Sequence, residues 1–122
     1  MRILISADIE GISGVMSPEQ TSPGSGEYER ARLLMTREVN AAVEGGATEI
    51  WVADGHGQYN NILLEELHPG ACLVSGKPRL FGMMGGLDCG PWDGLFLIGY
   101  HARAGAHGVL AHTINGSAFA EV

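Results

Sequence analysis

The sequence predicts an α/β fold, an open and mostly parallel sheet with helices on both of its faces. Two observations point there. Short apolar runs rich in β-branched residues alternate with stretches of helical spacing, and that alternation of strand and helix favours βαβ units over hairpins. Each apolar run then stops abruptly at acidic, histidine or glycine residues, the pattern of a buried strand leaving the sheet at a functional edge. The 122 residues leave room for one domain with a hydrophobic core.

Arg2 to Ala7 reads as the first buried strand, ending in Asp8-Ile9-Glu10-Gly11. Residues 11 to 26 hold Pro18, Pro23, Gly24 and Gly26 and read as loop. From Glu27 to about Glu44, Ala31, Leu34, Met35, Val39, Ala42 and Val43 recur at helical spacing, with Gly45-Gly46 as the stop. Glu49 to Ala53 is a second strand ending in Asp54-Gly55-His56-Gly57. Asn60 or Asn61 then caps a helix running to about Leu67, which His68-Pro69-Gly70 terminates. Ala71 to Ser75 is the third strand, Leu80 to Gly86 a short helix or turn, and Gly94 to Tyr100 a strand ending at His101. Val109 to Ile114 has the composition to begin another.

Composition excludes several functions. Seven Lys+Arg against 14 Asp+Glu give a net charge of −7, which repels a phosphate backbone, so no nucleic-acid partner is expected. No apolar stretch approaches the length that spans a bilayer, and Asp8 and Glu10 interrupt the N-terminal apolar run before it can act as a leader. A cytoplasmic protein without a membrane partner is the expectation. Cys72 and Cys89 lack metal-type spacing and read as reduced thiols. Glycine is in excess, 19 residues where average usage gives about 9, as in chains with many tight turns or with backbone close to a ligand.

The polar groups after the strands carry the chemistry. Asp8 and Glu10 follow the first strand, Asp54 and His56 the second, His101 the fourth. In a parallel sheet those strand ends share one edge, where ligand crevices form. Asp8 and Glu10 are two positions apart, so on extended backbone both carboxylates point to one side. Two such carboxylates repel unless a cation lies between them or one holds a proton. With His56 and His101 they form a mixed N and O donor set suited to zinc. Four side chains exceed the usual three of a mononuclear catalytic zinc, and a metal pair sharing an oxygen of Asp8 would use them all.

The same residues admit structural readings. Asp8 and Asp54 fit turn or capping roles, and Glu10 a solvated loop charge. His68 fits a helix C-terminus and His107 a loop. His112, inside the apolar run 109–114, fits a hydrogen-bonded core histidine better than a general base. Nucleotide and serine-hydrolase motifs are absent: Gly55-His56-Gly57 is followed by Asn60 in place of a third glycine, Gly70 to Lys77 runs into Pro78, and Gly11-Ile12-Ser13-Gly14 misses the nucleophile elbow by one position.

Taken together, Asp8-Ile9-Glu10-Gly11-Ile12-Ser13-Gly14, Tyr28-Glu29-Arg30, Arg32-Leu33-Leu34-Met35-Thr36, Asp54-Gly55-His56, Asn60-Asn61, Leu67-His68-Pro69, Ser75-Gly76, Gly86-Leu87-Asp88, Gly99-Tyr100-His101-Ala102-Arg103-Ala104 and His112 resemble the D-aminopeptidase family of zinc peptidases. The resemblance implies a dinuclear zinc site in which Asp8 bridges, Glu10 and His56 complete one metal and His101 serves the other. It makes His112 the catalytic histidine, as nucleophile or base. It further implies short peptides as substrates, D-amino-acid peptides among them, and a homo-oligomeric assembly. In the family a glutamate of a Gly-Glu pair beyond the catalytic histidine completes the second metal. Glu121 does not match that position, so residues 1–122 are expected to be the N-terminal metal-binding portion of a longer enzyme. Two other functions compete with the peptidase: a catalytically incomplete metal-binding or oligomerisation module, and a metal-dependent phosphoesterase. The second is disfavoured because Arg103 stands nearly alone as a cation near the ligands.

Overall fold

The computed structural model describes residues 1–114. Four strands, β1 (Arg2–Ala7), β2 (Glu49–Asp54), β3 (Ala71–Val74) and β4 (Gly94–Ile98), form one sheet in the order β3-β2-β1-β4. Every pairing is parallel. In register, Ala7 lies opposite both Asp54 of β2 and Ile98 of β4. The residues that follow those three positions therefore leave the sheet side by side, at its carboxyl edge.

One helix, α1 (Gly26–Val43), connects β1 to β2. Its N-terminus is capped by Ser25, whose Oγ accepts the Tyr28 N–H at 3.1 Å, a contact of about 1 kcal/mol. Past its end Gly46 takes a left-handed φ of 91°, the conformation that glycine supplies most cheaply. Tyr28, Ala31, Met35, Val39 and Val43 are all buried on one stripe of α1. They pack into the cluster formed by Ile3, Ile5 and Ala7 of β1 with Ile50 and Val52 of β2.

The alternate residues of the same strands face the other way. Leu4 and Ser6 of β1 and Ala53 of β2 are fully buried there, beneath the segment 77–93. Trp92 meets Trp51 edge-on with ring centroids 5.6 Å apart, and the Ser6 hydroxyl donates to the Met83 carbonyl at 2.5 Å. This roof contains two single 3₁₀ turns, Gly82–Met84 and Leu87–Cys89, and no α-helix. The apolar side chains Leu95, Phe96 and Leu97 of β4 remain exposed at the margin of the sheet. Among the described residues no helix is long and apolar enough to cross a membrane.

The structure departs from the sequence reading in three places, the first being that among the described residues an α-helix covers one face of the sheet and not both. Residues 60–67 form a loop with a single turn at 64–66 instead of a helix. The Asn61 and Ile62 N–H groups donate to Asp54 Oδ2 at 2.6 and 2.7 Å, so a carboxylate from the neighbouring strand end takes the donors that would open a helix. His68 accordingly ends no helix, and its Nδ1 accepts the Gly70 N–H at 2.9 Å. Residues 109–114 form no strand either, and contribute a single bridge between His112 and Arg103. Glu121 lies outside the described residues.

Candidate metal centre

The backbone beyond β1 builds the first part of the centre. Asp8 N–H still donates to the Ile98 carbonyl of β4 at 2.8 Å. The chain then turns, with Ile12 N–H bonded to the Ile9 carbonyl at 3.2 Å and Gly11 N–H to the Gly99 carbonyl at 2.7 Å. Any side chain on Gly11 would collide with the backbone of Gly99 and Tyr100. Glycine at position 11 is thus what lets the Asp8–Glu10 turn sit against the end of β4. The carboxylates of Asp8 and Glu10 share one site because of this turn, and not through extended backbone.

Asp8, Glu10 and His56 each present one donor atom within 4.8 Å of the others. His56 Nδ1 stands 3.2 Å from Asp8 Oδ1 and 3.1 Å from Glu10 Oε2. A single ring N–H can align with only one of these oxygens, and it aligns with Asp8. Glu10 Oε2 is left buried with no hydrogen-bond partner. His101, its side chain 2% exposed, brings Nε2 to 3.8 Å from Asp8 Oδ2. His112 brings Nε2 to 3.7 Å from Glu10 Oε1, and its ring stacks on that of His101 with centroids 3.6 Å apart.

Backbone carbonyls orient all three imidazoles. His56 Nε2–H donates to the Thr21 carbonyl at 2.6 Å, His101 Nδ1–H to that of Ala102 at 2.8 Å, and His112 Nδ1–H to that of Leu110 at 2.6 Å. A carbonyl only accepts, so each of these nitrogens carries a proton. The opposite nitrogen of each ring is the one turned to the carboxylates. Metal-ligating histidines are held in this way by their second nitrogen.

The charges are strongly coupled. Burial alone would lower the His56 pKa, but the carboxylates of Asp8 and Glu10 beside its Nδ1 override it and push the imidazole up to about 10. Burial opposes ionisation of Glu10 as well, yet His56 and Asp8 bring it down to about 2. Asp8 moves the other way, raised by its burial and by the neighbouring Glu10 charge. Without a cation, a proton on His56 holds the cluster together.

The structure brings together five of the sequence-derived candidates, Asp8, Glu10, His56, His101 and His112, and sets Asp54 aside. Asp54 Oδ1 accepts from Asn61 Nδ2 at 2.8 Å and from His56 N–H at 3.3 Å, while Oδ2 is taken by Asn61 and Ile62. It braces the turn that carries His56. His112 is no core histidine, since 45% of its side chain is exposed. His107 is exposed away from the cluster, and Cys72 and Cys89 are free and exposed. Sequence reasoning missed Thr21, whose carbonyl acts through its backbone and leaves no side-chain signal.

Fold and site together define an α/β protein with a centre of carboxylates and imidazoles, of a chemistry that could hold a cation, at the carboxyl edge of a parallel sheet. The D-aminopeptidase (peptidase M55) family profile matches residues 1–122. The chain belongs to that family. It is 42% identical over 118 residues to a D-aminopeptidase of Bacillus subtilis (strain 168), a match covering 93% of this chain and 43% of the relative. Among solved structures it superposes with a TM-score of 0.84 and 43% identity on the Zn-dependent D-aminopeptidase DppA from Bacillus subtilis, described as a self-compartmentalizing protease. That match covers 92% of this chain and 42% of the other, so the chain spans less than half the length of these relatives.

Proposed function

We propose that this chain is the metal-bearing portion of a zinc-dependent aminopeptidase that hydrolyses short peptides, those with N-terminal D-residues among them. The observation that carries this reading is the buried, unpartnered Glu10 Oε2 beside Asp8 and His56. An orphaned buried carboxylate oxygen is costly, and a cation at that point would satisfy it. The mixed carboxylate and imidazole donors fit zinc. In our reading Asp8 would serve both of two zinc ions, Glu10 and His56 would complete the set for one, and His101 would serve the other. Bound zinc lowers the pKa of water and polarises a carbonyl.

His112 is the catalytic histidine in this reading. Its Nδ1–H is occupied by the Leu110 carbonyl, which leaves the Nε2 lone pair, 3.7 Å from Glu10 Oε1, to accept a proton. As general base that lone pair takes a proton from the water that attacks the peptide carbonyl; as nucleophile it adds to that carbonyl itself, the C–N bond to the amine breaks, and water then releases the acyl group. Returning a proton to the departing amine is the complementary step. The homo-oligomer is proposed by analogy with the self-compartmentalizing relative.

The decisive experiment is a zinc titration of the purified protein followed by hydrolysis of dipeptides and tripeptides with N-terminal D- or L-alanine. Two zinc per chain, with turnover that collapses about 10²-fold or more in His112→Ala while zinc content holds, is the expected result. Because Asp8, Glu10 and His56 form a complete three-ligand group by themselves, a metal-binding module is the second reading. One tight zinc per chain with no turnover would select it.

A further inference from the structure

A second cleft, of about 510 Å³, adjoins the metal centre and shares the walls Gly55, Gly57 and Met83 with it. Its far end is formed by Tyr59, Lys77 and Gly82. Lys77 is the only lysine in the sequence, and among the described residues it has no carboxylate partner within 4.0 Å. The other cation at this end is fully engaged. Arg79 stacks on the Tyr59 ring at 3.9 Å and spends its donors on the carbonyls of Gly82, Val74 and Asp54. Lys77 Nζ lies over the same ring, 4.7 Å from its centroid, and makes no hydrogen bond among the described residues.

The backbone holds this end in register with the metal ligands. Tyr59 adopts a left-handed φ of 63°, an uncommon conformation for a residue other than glycine. Its N–H bonds to the His56 carbonyl at 2.8 Å, and its own carbonyl accepts from Gly76 N–H at 2.6 Å and Ser75 Oγ at 2.8 Å. The loop that carries His56 and the loop that carries Lys77 are therefore joined through one strained residue. Strain of this kind persists where the surroundings impose it, and it gathers at ligand sites.

We infer that this cleft is the subsite for the C-terminal carboxylate of a short peptide, with the Lys77 ammonium as its anchor. The inference rests on the peptidase reading and adds the feature that restricts substrate length. Acidic groups lie at the metal end and a lone ammonium at the other, a polarity that complements a zwitterionic peptide whose amine enters toward the metals. A volume of this size takes a small ligand, and at roughly 3.5 Å per extended residue only a peptide of a few residues places its carboxylate beside Lys77. Longer or amidated peptides forfeit the contact.

The test compares tri-alanine as free acid and as C-terminal amide, using zinc-loaded wild type, Lys77→Gln and Lys77→Arg. Lys77 is exposed, so its ion pair is of modest strength, and the expected preference of wild type for the free acid is about three- to tenfold. It should reside in KM with kcat unchanged, since the contact is remote from the reacting atoms. Lys77→Gln should lose the preference while cleaving the amide as wild type does, and Lys77→Arg should retain it. Calorimetric binding of acetyl-dialanine acid against its amide, without turnover, should follow the same order. Equal KM for acid and amide in wild type, or an undiminished preference in Lys77→Gln, would overturn the subsite and leave the peptidase intact. No cleavage of either peptide by the zinc-loaded wild type would overturn both.

Discussion

Replacing Asp54 by asparagine changes no volume and removes one acceptor oxygen from beneath the metal centre. The two oxygens of Asp54 accept four hydrogen bonds, from Asn61 N–H, Ile62 N–H, Asn61 Nδ2 and His56 N–H. An amide can serve one pair and must turn its NH₂ toward the other, donor against donor. Two donors then lose their acceptor in a fully buried position, at about 1–3 kcal/mol each. The expected loss is about 2–5 kcal/mol, a large fraction of the stability of an ordinary domain. Urea denaturation of the purified protein measures it as a lowered midpoint at unchanged slope. Zinc affinity should fall with it, about 10- to 100-fold, because the turn that aims His56 is no longer braced. A stability loss under about 1 kcal/mol with unaltered zinc affinity would refute the assignment of Asp54 as the brace.

Other expectations can be measured on the same protein. His56 at about 10 lies above its unfolded value near 6.5, so its contribution to metal-free stability is complete below pH 6.5 and lost as pH rises through 10. Melting temperature after EDTA treatment should decline over that window. Glu10, at about 2, contributes fully above pH 4.5 and loses its contribution as pH falls through 2. Zinc must displace the His56 proton, so near pH 8 calorimetry in buffers of different ionisation enthalpy should register the release of about one proton per chain. No buffer dependence would contradict the ligand assignment. His101→Ala should lower bound zinc from two per chain to one, and an unchanged stoichiometry would remove His101 from the second metal. Gly99→Ala places a methyl group onto the Asp8 carbonyl and the Ile12 side chain at a left-handed φ of 68°. Its thermal unfolding should show a loss of about 2 kcal/mol or more.

Local patterning carried much of the architecture. The apolar run 2–7 and the helical spacing of Ala31, Met35, Val39 and Val43 need only short-range periodicity to be read, and both elements form where that periodicity puts them. The loop at 60–67 was not legible because the group that decides it, Asp54, comes from another element. The Asn61 signal was real, but its partner is a carboxylate and not the first turn of a helix. At the site, Asp8, Glu10, His56 and His101 could be found because parallel strands deliver their carboxyl ends to one edge. The tautomers could not, since they depend on the carbonyls of Thr21, Ala102 and Leu110. The apolar neighbours of His112 suggested burial, whereas their run forms no strand and leaves the ring half exposed. The unpartnered Lys77 became meaningful only once Arg79 was seen to be spent on backbone carbonyls.

Asp8 follows the interior strand β1, whereas His101 comes after β4, which among the described strands lies at the sheet's margin. A growing polypeptide can therefore present Asp8, Glu10 and His56 together long before His101 exists to join them. The approach of His101 to that group is then coupled to the pairing of β4 with β1. A cation held at a thousand times its dissociation constant would add about 4 kcal/mol to the folded state. The cluster of carboxylates and imidazoles is thus complete only once the edge strand has docked, so its completion reports the folding of that edge.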